Sequence, residues 1–262
     1  MQPVYILKWD QLSAHAFTYG ADITYPDVTT VAYANSLQPS GKPIYTWENL
    51  SAQQASDAGI RQSVVMPILE PDHTYHVQAN LTATPVNSVG ISVDFLDYEG
   101  HVMDRIVQTT SSFDFTFPYD AIDYRISIVK FNNEELQFDS ILLAESDLFT
   151  TMTFETDPAI DAVVAKKHEL TQSVQTATIL FKKVNYPVDT MYMDTRFDEA
   201  VYLGMTATTL ADTEQLKSYF EQVQATAQMA DLSISDVEVT GIGMGTDAAV
   251  KLFRDKWQNH KD

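Results

Sequence analysis

The sequence has no cysteine and few basic residues, and these two shortages exclude several classes of protein. Without cysteine there is no disulfide, no thiolate metal site and no cysteine nucleophile, although the cellular compartment stays open. Sixteen Lys and Arg stand against thirty-six Asp and Glu, which gives a net charge of −20. Such a surface repels nucleic acid and the anionic face of a bilayer. We therefore expect no nucleic-acid partner, and membrane contact only through other proteins.

Long hydrophobic runs are also missing, and this bears on location. The apolar stretch from Val4 to Leu7 is too short for a signal peptide or a membrane span. We therefore expect a cytoplasmic protein that partners recruit to the inner face of the membrane. With 262 residues, 45% of them hydrophobic, the chain is long enough for one large or two ordinary domains.

The first half alternates apolar and polar residues with a period of two, which is typical of β-strands. Every second residue from Tyr75 to Ala83 is apolar, and the segment 91–96 repeats the pattern. Further runs at 105–108, 113–117, 123–129 and 136–143 follow at the spacing of an all-β sandwich. The pattern predicts a β-sandwich domain over residues 1–148.

The second half has a different pattern. Asp157-Pro158 predicts the start of a helix, because Pro favours the first helical turn. Short strands are predicted at 176–181, 201–205 and 237–240, and helical spacing of apolar residues runs from Leu216 to Ala230 and from Val250 to Trp257. Strands alternating with helices favour a small α/β domain with a parallel sheet over residues 150–262.

Short motifs spread over the first 145 residues carry a family resemblance. They are Asn35-Ser-Leu-Gln-Pro-Ser-Gly41, Ile44 with Trp47, Val65-Met-Pro-Ile-Leu69, Tyr75, Val86-Asn-Ser-Val89 and Val93-Asp-Phe-Leu-Asp97. Together they resemble the third accessory secretory protein family of the accessory Sec system, which exports serine-rich glycoproteins in Gram-positive bacteria. The resemblance does not cover the second half.

The resemblance implies a fold, partners and a substrate. The implied fold is a jelly-roll β-sandwich like that of carbohydrate-binding modules. The implied partners are the first and second accessory secretory proteins, the accessory Sec motor ATPase and the serine-rich glycoprotein itself. Contact with the glycan and contact with the unfolded chain both remain open.

A glycine-rich segment, Gly241-Ile-Gly-Met-Gly245, lies between a predicted strand and a predicted helix. It has the spacing of the nucleophile elbow of α/β-hydrolases, in which the central residue is a nucleophilic Ser. Gly243 has no hydroxyl, so the segment is either a catalytically dead relative of a hydrolase or a tight strand-to-helix junction. Thr246 stands where a dinucleotide-binding loop requires glycine. We therefore expect no catalytic residue and no cofactor.

Two groups of side chains suggest metal sites, and each has a simpler interpretation. His73 and His76 are three residues apart on a predicted strand, which points them to opposite faces. The second group surrounds a turn and consists of Asp94, Asp97, Glu99 and Asp104. Such a cluster suits structural calcium, but an EF-hand pattern is absent and an acidic chain has many solvated hairpins. We predict no metal site and leave structural calcium open.

Aromatic residues offer the best candidate ligand surface, because sugar rings stack their C–H faces on Trp and Tyr. The candidates are Trp9, Trp47, Tyr98 and Tyr119. An aromatic residue in a β-sandwich more often belongs to the core or to a subunit interface, and this interpretation applies to each of the four.

The sequence thus predicts a two-domain protein that is mainly β. We expect it to act without catalysis, as a component of the accessory Sec complex that supports export of serine-rich adhesins. Two alternatives remain at this point: a stand-alone carbohydrate-binding protein, and an enzyme that acts through its C-terminal α/β domain.

Overall fold

The computed structural model describes residues 2–10, 15–49, 66–169, 176–182, 188–194, 196–225 and 237–258. The chain divides into two units. The first, which we call the sandwich, contains residues 3–146 together with 186–190. The second, the C-terminal unit, contains residues 1–2, 147–185 and 191–262.

Two β-sheets face each other in the sandwich. Its first ten strands are β1 (Gln2–Leu7), β2 (Asp22–Thr24), β3 (Val31–Ala34), β4 (Pro43–Glu48), β5 (Thr74–Thr84), β6 (Val89–Leu96), β7 (Val102–Gln108), β8 (Ser112–Thr116), β9 (Asp123–Lys130) and β10 (Glu135–Glu145). The four-stranded sheet has the order β4-β9-β6-β7. In the seven-stranded sheet β1, β3 and β5 run antiparallel to the long β10, β8 pairs with β5, and β2 pairs with β3.

The period-two pattern of the sequence places apolar side chains on one face of each strand, and these side chains form the core. Tyr75, Val77 and Ala79 point inward from β5, and Val93 and Phe95 point inward from β6. Side chains on alternate positions meet between the sheets and exclude water, which is the main stabilising contribution in such a fold. The predicted jelly-roll β-sandwich is confirmed, and every strand predicted between residues 75 and 143 is present.

The sandwich also takes a strand from far along the chain. β14 (Val188–Met193) pairs with β1 at the edge of the seven-stranded sheet. Asp189 is 2% exposed, and its Oδ2 lies 2.9 Å from Nζ of Lys8. Nothing in the sequence pattern indicated that residues 186–190 belong with the first half.

The C-terminal unit is a mixed sheet with helices. Its elements are α1 (Ser146–Thr151), β11 (Met152–Asp157), β12 (Ala162–Lys167), β13 (Thr176–Lys182), β15 (Glu199–Met205), α2 (Ala207–Ala211), α3 (Thr213–Ala225), β16 (Val237–Ile242) and α4 (Asp247–Gln258). The sheet order is β11-β12-β15-β13-β16. Among the strands that the structure describes, β13 pairs in parallel with both of its neighbours, β15 and β16, whereas β12 runs antiparallel to β11 and β15.

The elements of the C-terminal unit agree in part with those predicted from the sequence. The α/β class and the strands at 176–181, 201–205 and 237–240 are confirmed. The helix predicted at Asp157-Pro158 is wrong, because this segment ends β11 and turns into β12, where Asp161 has a φ of 50°. The predicted parallel sheet is also wrong, because the hairpin of β11 and β12 adds antiparallel strands to it. Ala230 and the side chain of Trp257 lie outside the described residues.

No helix in the part of the chain that the structure describes has the length and apolar character needed to cross a membrane.

Candidate functional site

Two of the four aromatic candidates lie inside the sandwich. Trp47 is 0% exposed and Trp9 is 7% exposed. Both pack against Tyr45, with ring centroids 4.6 Å and 4.5 Å apart, and Trp47 Nε1 donates a hydrogen bond to the carbonyl oxygen of Lys8 at 2.8 Å. Trp47 occupies an inward position of β4, Trp9 follows β1, and both rings lie in the core between the sheets. The expectation of a ligand surface at Trp9 and Trp47 is therefore corrected.

The other two candidates are on the surface at one end of the sandwich. Tyr98 is 83% exposed in the turn between β6 and β7, and Tyr119 is 78% exposed in the loop between β8 and β9. The two loops meet where the Ile122 amide donates to the Leu96 carbonyl oxygen at 2.9 Å. Ile122 is itself 70% exposed. We call Tyr98, Tyr119 and Ile122 the loop end, and ligand binding there stays a prediction.

A row of alternating charges crosses the outer face of the four-stranded sheet. The strand register aligns Glu48, Arg125, Asp94 and Arg105 across its four strands. The buried Asp94 accepts hydrogen bonds from Arg105 Nε at 2.6 Å and from Arg125 Nε at 2.9 Å. Burial alone would raise the pKa of Asp94, but hydrogen bonds from Arg105, Ser92 and Arg125 outweigh burial and lower it. Asp94 is thus part of an ion-pair network and not a calcium ligand.

The rest of the acidic group shapes a turn. Asp97 Oδ1 accepts hydrogen bonds from the amides of Glu99 and His101, both at 2.8 Å. Together with the charge and side chain of His101, these bonds lower the pKa of Asp97, with the His101 amide as the largest cause. Asp97, Glu99 and His101 place their ligand atoms within 4.8 Å of one another. The hydrogen bonds of the turn thus explain the position of the Asp97 carboxylate. Asp104 accepts a hydrogen bond from the Arg105 amide at 2.8 Å.

The two histidines considered for a metal have separate partners. His73 Nδ1 lies 2.9 Å from Glu145 Oε1, and this hydrogen bond is the largest of the causes that raise the pKa of His73. His76 Nδ1 lies 2.6 Å from Asp114 Oδ1, and its Nε2 lies 2.9 Å from Ser112 Oγ. The pair therefore forms no shared site.

Ser112, His76 and Asp114 have the connectivity of a hydrolase triad, which sequence analysis missed because 36 residues or more separate His76 from the others. Register brings them together on the outer faces of β5 and β8. The Asp114 side chain is 57% exposed, so water competes for the acid, whereas a catalytic triad has a buried acid and an enclosed site. Neither cavity described below includes these three residues. We interpret them as a surface hydrogen-bond network.

A cavity of about 450 Å³, which we call the polar cavity, opens on the sandwich beside β2. Its walls come from three segments, residues 20–22, 34–36 and 130–134. These are the region of β2, the end of β3 and the connection from β9 to β10. Antiparallel pairing of β2 with β3, and of β3 with β10, brings the segments together.

Two buried side chains give the polar cavity its chemistry. Lys130 is 6% exposed, and its ammonium donates to the carbonyl oxygens of Asn35 and Asn133 at 2.5 Å and 2.9 Å. Asn133 is 3% exposed, and neither Nδ2 nor Oδ1 of its amide has a hydrogen-bond partner in the part of the chain that is described. Buried polar atoms are normally satisfied, and this amide is one of several exceptions in the described part of the chain, which also include the hydroxyls of Ser88 and Tyr124.

Asn35 lines the same cavity, but unlike Asn133 its side-chain amide has hydrogen-bond partners. Its Nδ2 donates to the Tyr19 carbonyl oxygen at 2.9 Å, and its Oδ1 accepts from the amides of Leu37 and Gln38 at 2.9 Å and 3.0 Å. The amide of Asn35 therefore holds the loop in place. Sequence analysis included Asn35 only within the family motif and missed Lys130 and Asn133, which carry no motif.

A second cavity, of about 390 Å³, lies between the ends of β5, β6 and β7. Leu81, Val89 and Ile91 line it together with hydroxyl side chains from residues 109–111. Among the residues described there, no lining side chain is a buried polar group without a partner. This cavity therefore offers less specific chemistry than the polar cavity.

The glycine segment of the C-terminal unit forms a strand-to-helix junction. Gly243 and Gly245 have φ of 99° and 93°, where glycine is favoured, and the Thr246 hydroxyl donates to the Gly243 carbonyl oxygen at 3.0 Å. A Cβ on Gly241 would lie 2.5 Å from Thr246 Oγ1. The glycines thus serve close packing between β16 and α4, which agrees with the simpler of the two interpretations.

Comparison with known families gives a match in the first half of the chain. The family model described as "Accessory Sec secretory system ASP3" matches residues 16–145. These residues cover nearly the whole sandwich, including the polar cavity and the loop end. The sandwich belongs to the ASP3 family. The C-terminal unit lies outside the match to ASP3.

Two curated relatives support the assignment to ASP3. An accessory Sec system protein of this name from Streptococcus gordonii is 25% identical over 129 residues, which are 49% of this chain and 79% of the relative. The protein of the same name from Staphylococcus aureus (strain NCTC 8325 / PS 47) is 26% identical over 139 residues. That match spans 53% of this chain but only 42% of the S. aureus protein.

A solved structure extends the likeness in fold to both units. A chain in the Glycosylation Associate Protein (Gap123) complex of Streptococcus agalactiae is similar over 97% of this chain and 75% of its own length. The TM-score is 0.52 and the sequence identity is 15%. At this identity the comparison shows a shared fold.

Proposed function

We propose that this protein is a component of a complex that supports export of serine-rich glycoproteins through the accessory Sec system. The observation that supports the proposal most directly is the family match over residues 16–145. The two curated relatives point to the same system. The proposed role is assembly, and it requires no covalent step.

The proposed partners are the first and second accessory secretory proteins. Through them the protein would reach the motor ATPase and the glycoprotein substrate at the inner face of the membrane. The acidic chain, with a net charge of −20, supports contact with basic protein surfaces and not direct attachment to anionic lipid. The fold shared with a chain of the Gap123 complex is compatible with a place in such an assembly.

The loop end is the surface that best fits a protein partner. Tyr98, Tyr119 and Ile122 expose between 70% and 83% of their area, and tyrosine is enriched at the energetic centres of interfaces. The exposed acidic residues Glu99 and Asp120 flank these side chains in the same two loops. We therefore expect a partner surface with an apolar centre and a basic rim.

Co-purification tests the proposed assembly. The tagged protein would be expressed with the first and second accessory secretory proteins of its own operon and analysed by size exclusion at moderate salt. We expect one stable complex that contains all three proteins. A protein that elutes alone as a monomer would contradict the proposal.

Variants of the loop end test where the partner binds. The double variant Tyr98→Ser/Tyr119→Ser is expected to weaken binding of the partner at least about tenfold, which corresponds to about 1.4 kcal/mol. Tyr192→Ser is the matched control, because Tyr192 is a 49% exposed tyrosine on β14. Equal weakening by both variants would show that the loop end is not the interface.

A further inference from the structure

We propose that the proton on the His73 ring stabilises the loop end, and that its loss at higher pH weakens binding of the partner there. As a statement about regulation, this inference rests on the proposed function, which assigns the partner to the loop end. His73 directly precedes β5, and its exposed ring lies among carboxylates. A change of one charge at this position therefore alters several contacts at once.

Both nitrogens of the His73 ring face a carboxylate. Nδ1 lies 2.9 Å from Oε1 of Glu145, the last residue of β10, and Nε2 lies 3.4 Å from Oε2 of Glu70, in the segment before β5. A neutral imidazole has one N–H, so it donates to one carboxylate and turns a lone pair toward the other. The imidazolium has two N–H groups and donates to both. The geometry thus fits the protonated ring, which links the segment before β5 to β10.

The charges around His73 favour the protonated form. The hydrogen bond to Glu145 is the largest cause that raises the pKa of His73 above its usual value of 6.5, and the charges of Glu70, Glu145 and Asp72 raise it further. The contribution of the protonated ring to stability is therefore fully present below the unfolded value of about 6.5. It is lost as the pH rises through the higher value of the folded protein.

The other side chains next to this cluster have separate roles. Burial is the largest cause that raises the pKa of Tyr75, whose hydroxyl accepts a hydrogen bond from the Glu70 amide at 2.8 Å and stays neutral. On β8 the neighbouring side chain is the uncharged Thr116. His76 pairs with Asp114 and not with the carboxylates around His73. The change of charge in this cluster therefore takes place on the His73 ring.

The backbone of the same segment holds the loop that carries the loop end. The Phe117 amide donates to the His73 carbonyl oxygen at 3.0 Å, and the Asp72 amide donates to the Phe117 carbonyl oxygen at 2.9 Å. Phe117 begins the loop between β8 and β9, which contains Tyr119 and Ile122 of the loop end. Loosening of the segment before β5 therefore reaches the loop end through two backbone hydrogen bonds.

Amide hydrogen exchange of the isolated, isotope-labelled protein, followed by NMR, tests this connection. We expect the protection factors of the Asp72 and Phe117 amides to fall about two- to fivefold between about pH 6 and about pH 8.5, as for the loss of an exposed ion pair. The midpoint of the fall should coincide with the titration of the His73 ring in the same sample.

Three variants link the change to the proton on His73. His73→Gln has no titrating ring and is expected to keep both protection factors constant over this pH range. Glu145→Gln removes one carboxylate and is expected to lower the pKa of His73, and the midpoint with it. Glu135→Gln is the matched control, because it removes an exposed carboxylate at the other end of β10 and is expected to behave as the wild type does.

The effect on binding is measured with the first and second accessory secretory proteins. We expect the wild type to bind about two- to fivefold more weakly at about pH 8.5 than at about pH 6. His73→Gln should lack this loss. Titration of groups on the partners is common to both proteins, so the difference between them isolates the His73 ring.

Several results would overturn the proposal. They are protection factors that do not change with pH in the wild type, the same change in His73→Gln, and an equal loss of affinity in both proteins. If no complex forms at either pH while the amides behave as expected, the proposed assembly fails, and control of binding fails with it. If the complex forms with the same affinity at both pH values, only the regulation is wrong.

Discussion

The Asp94 carboxylate links two arginines that approach from neighbouring strands. Its side chain is 4% exposed, while the Arg105 and Arg125 side chains are 53% and 31% exposed. An isolated carboxylate in such a position would be costly, and the two guanidinium groups make the ionised form favourable. The stability of the row of charges therefore depends on all of its members together and not on any one residue.

Asp94→Asn tests this network through stability. Near neutral pH we expect the free energy of unfolding to fall by about 2–3 kcal/mol, because the charge that pairs with both arginines is lost. The pKa of Asp94 is lowered in the folded state, so its contribution is present above the unfolded value of about 3.9. It is lost as pH falls through the lower, folded value.

Chemical denaturation at several pH values provides the measurement. The stability difference between wild type and Asp94→Asn should shrink as the pH falls below about 4. Asp104→Asn on the same hairpin is the control, since Asp104 is exposed and its only described hydrogen bond comes from the next residue's amide. A constant difference at all pH values would argue against ionisation as the cause.

The sequence could not place Asp94 correctly because its partners are 11 and 31 residues away. An acidic run near a turn looks the same whether its members face solvent, calcium or arginine. Trp9 and Trp47 present a related difficulty, because a large aromatic ring suits both a core and a binding surface. Only the register of the strands shows which way each of these side chains faces.

Gly241 shows how one small residue fixes the approach of an element. A Cβ there would lie 2.5 Å from Thr246 Oγ1 and 2.8 Å from Val250 Cγ2. β16 and α4 therefore approach closely only with glycine at this position. The spacing that resembled a nucleophile elbow has a packing cause.

Gly241→Ala is expected to destabilise the C-terminal unit by about 1–3 kcal/mol through overpacking. The nearest obstacle is the Thr246 side chain, so adding Thr246→Gly should recover part of the loss. Thermal unfolding of the two single variants and the double variant measures the coupling between the positions. Strictly additive effects would show that the contact does not cause the loss.

At the scale of elements, sequence periodicity predicted best where strands have one buried face. β5 and the strands between residues 91 and 143 follow the period-two rule and were placed correctly. The hairpin of β11 and β12 was missed because Asp157-Pro158 also suits a helix start, and the antiparallel pairing that decides the matter is not local. The strand β14 was missed because its sheet partner, β1, is more than 180 residues away in the chain.

At the scale of the molecule, the Lys8–Asp189 pair holds the late strand in the sandwich. The two side chains are 11% and 2% exposed, and their charged atoms are 2.9 Å apart. Buried pairs of this kind are costly to break because the remaining charge stays in the interior. The pairing of β14 with β1 therefore contributes to the stability of the sandwich.

Asp189→Ala is expected to lower the free energy of unfolding of the sandwich by about 3–5 kcal/mol, because the buried Lys8 ammonium loses the carboxylate that it contacts at 2.9 Å. The double variant Lys8→Met/Asp189→Leu, which replaces the pair by apolar side chains, should be more stable than Asp189→Ala. Denaturation followed by tryptophan fluorescence measures both, since Trp9 and Trp47 report on the sandwich core. If Asp189→Ala proves as stable as the wild type, the pair does not hold the strand.

The polar cavity was beyond sequence analysis for a reason that applies to the whole molecule. Its walls come from three segments separated by up to about a hundred residues. Lys130 ends β9 and Asn133 lies in the connection to β10, and neither belongs to a recognisable motif. The unsatisfied amide becomes visible only when burial and hydrogen bonds are known together. The family resemblance predicted the fold of the sandwich, and the structure adds the position of the cavity.

The position of β14 in the chain has a consequence for synthesis on the ribosome. Translation adds residues from the N-terminus at about 5–20 per second, and domains usually fold as they emerge. Here the sandwich cannot receive its edge strand until residue 190 has left the exit tunnel, by which time much of the C-terminal unit has also been made. During that interval the edge of β1 is open to other strands, so the nascent chain has a period in which chaperone protection matters most.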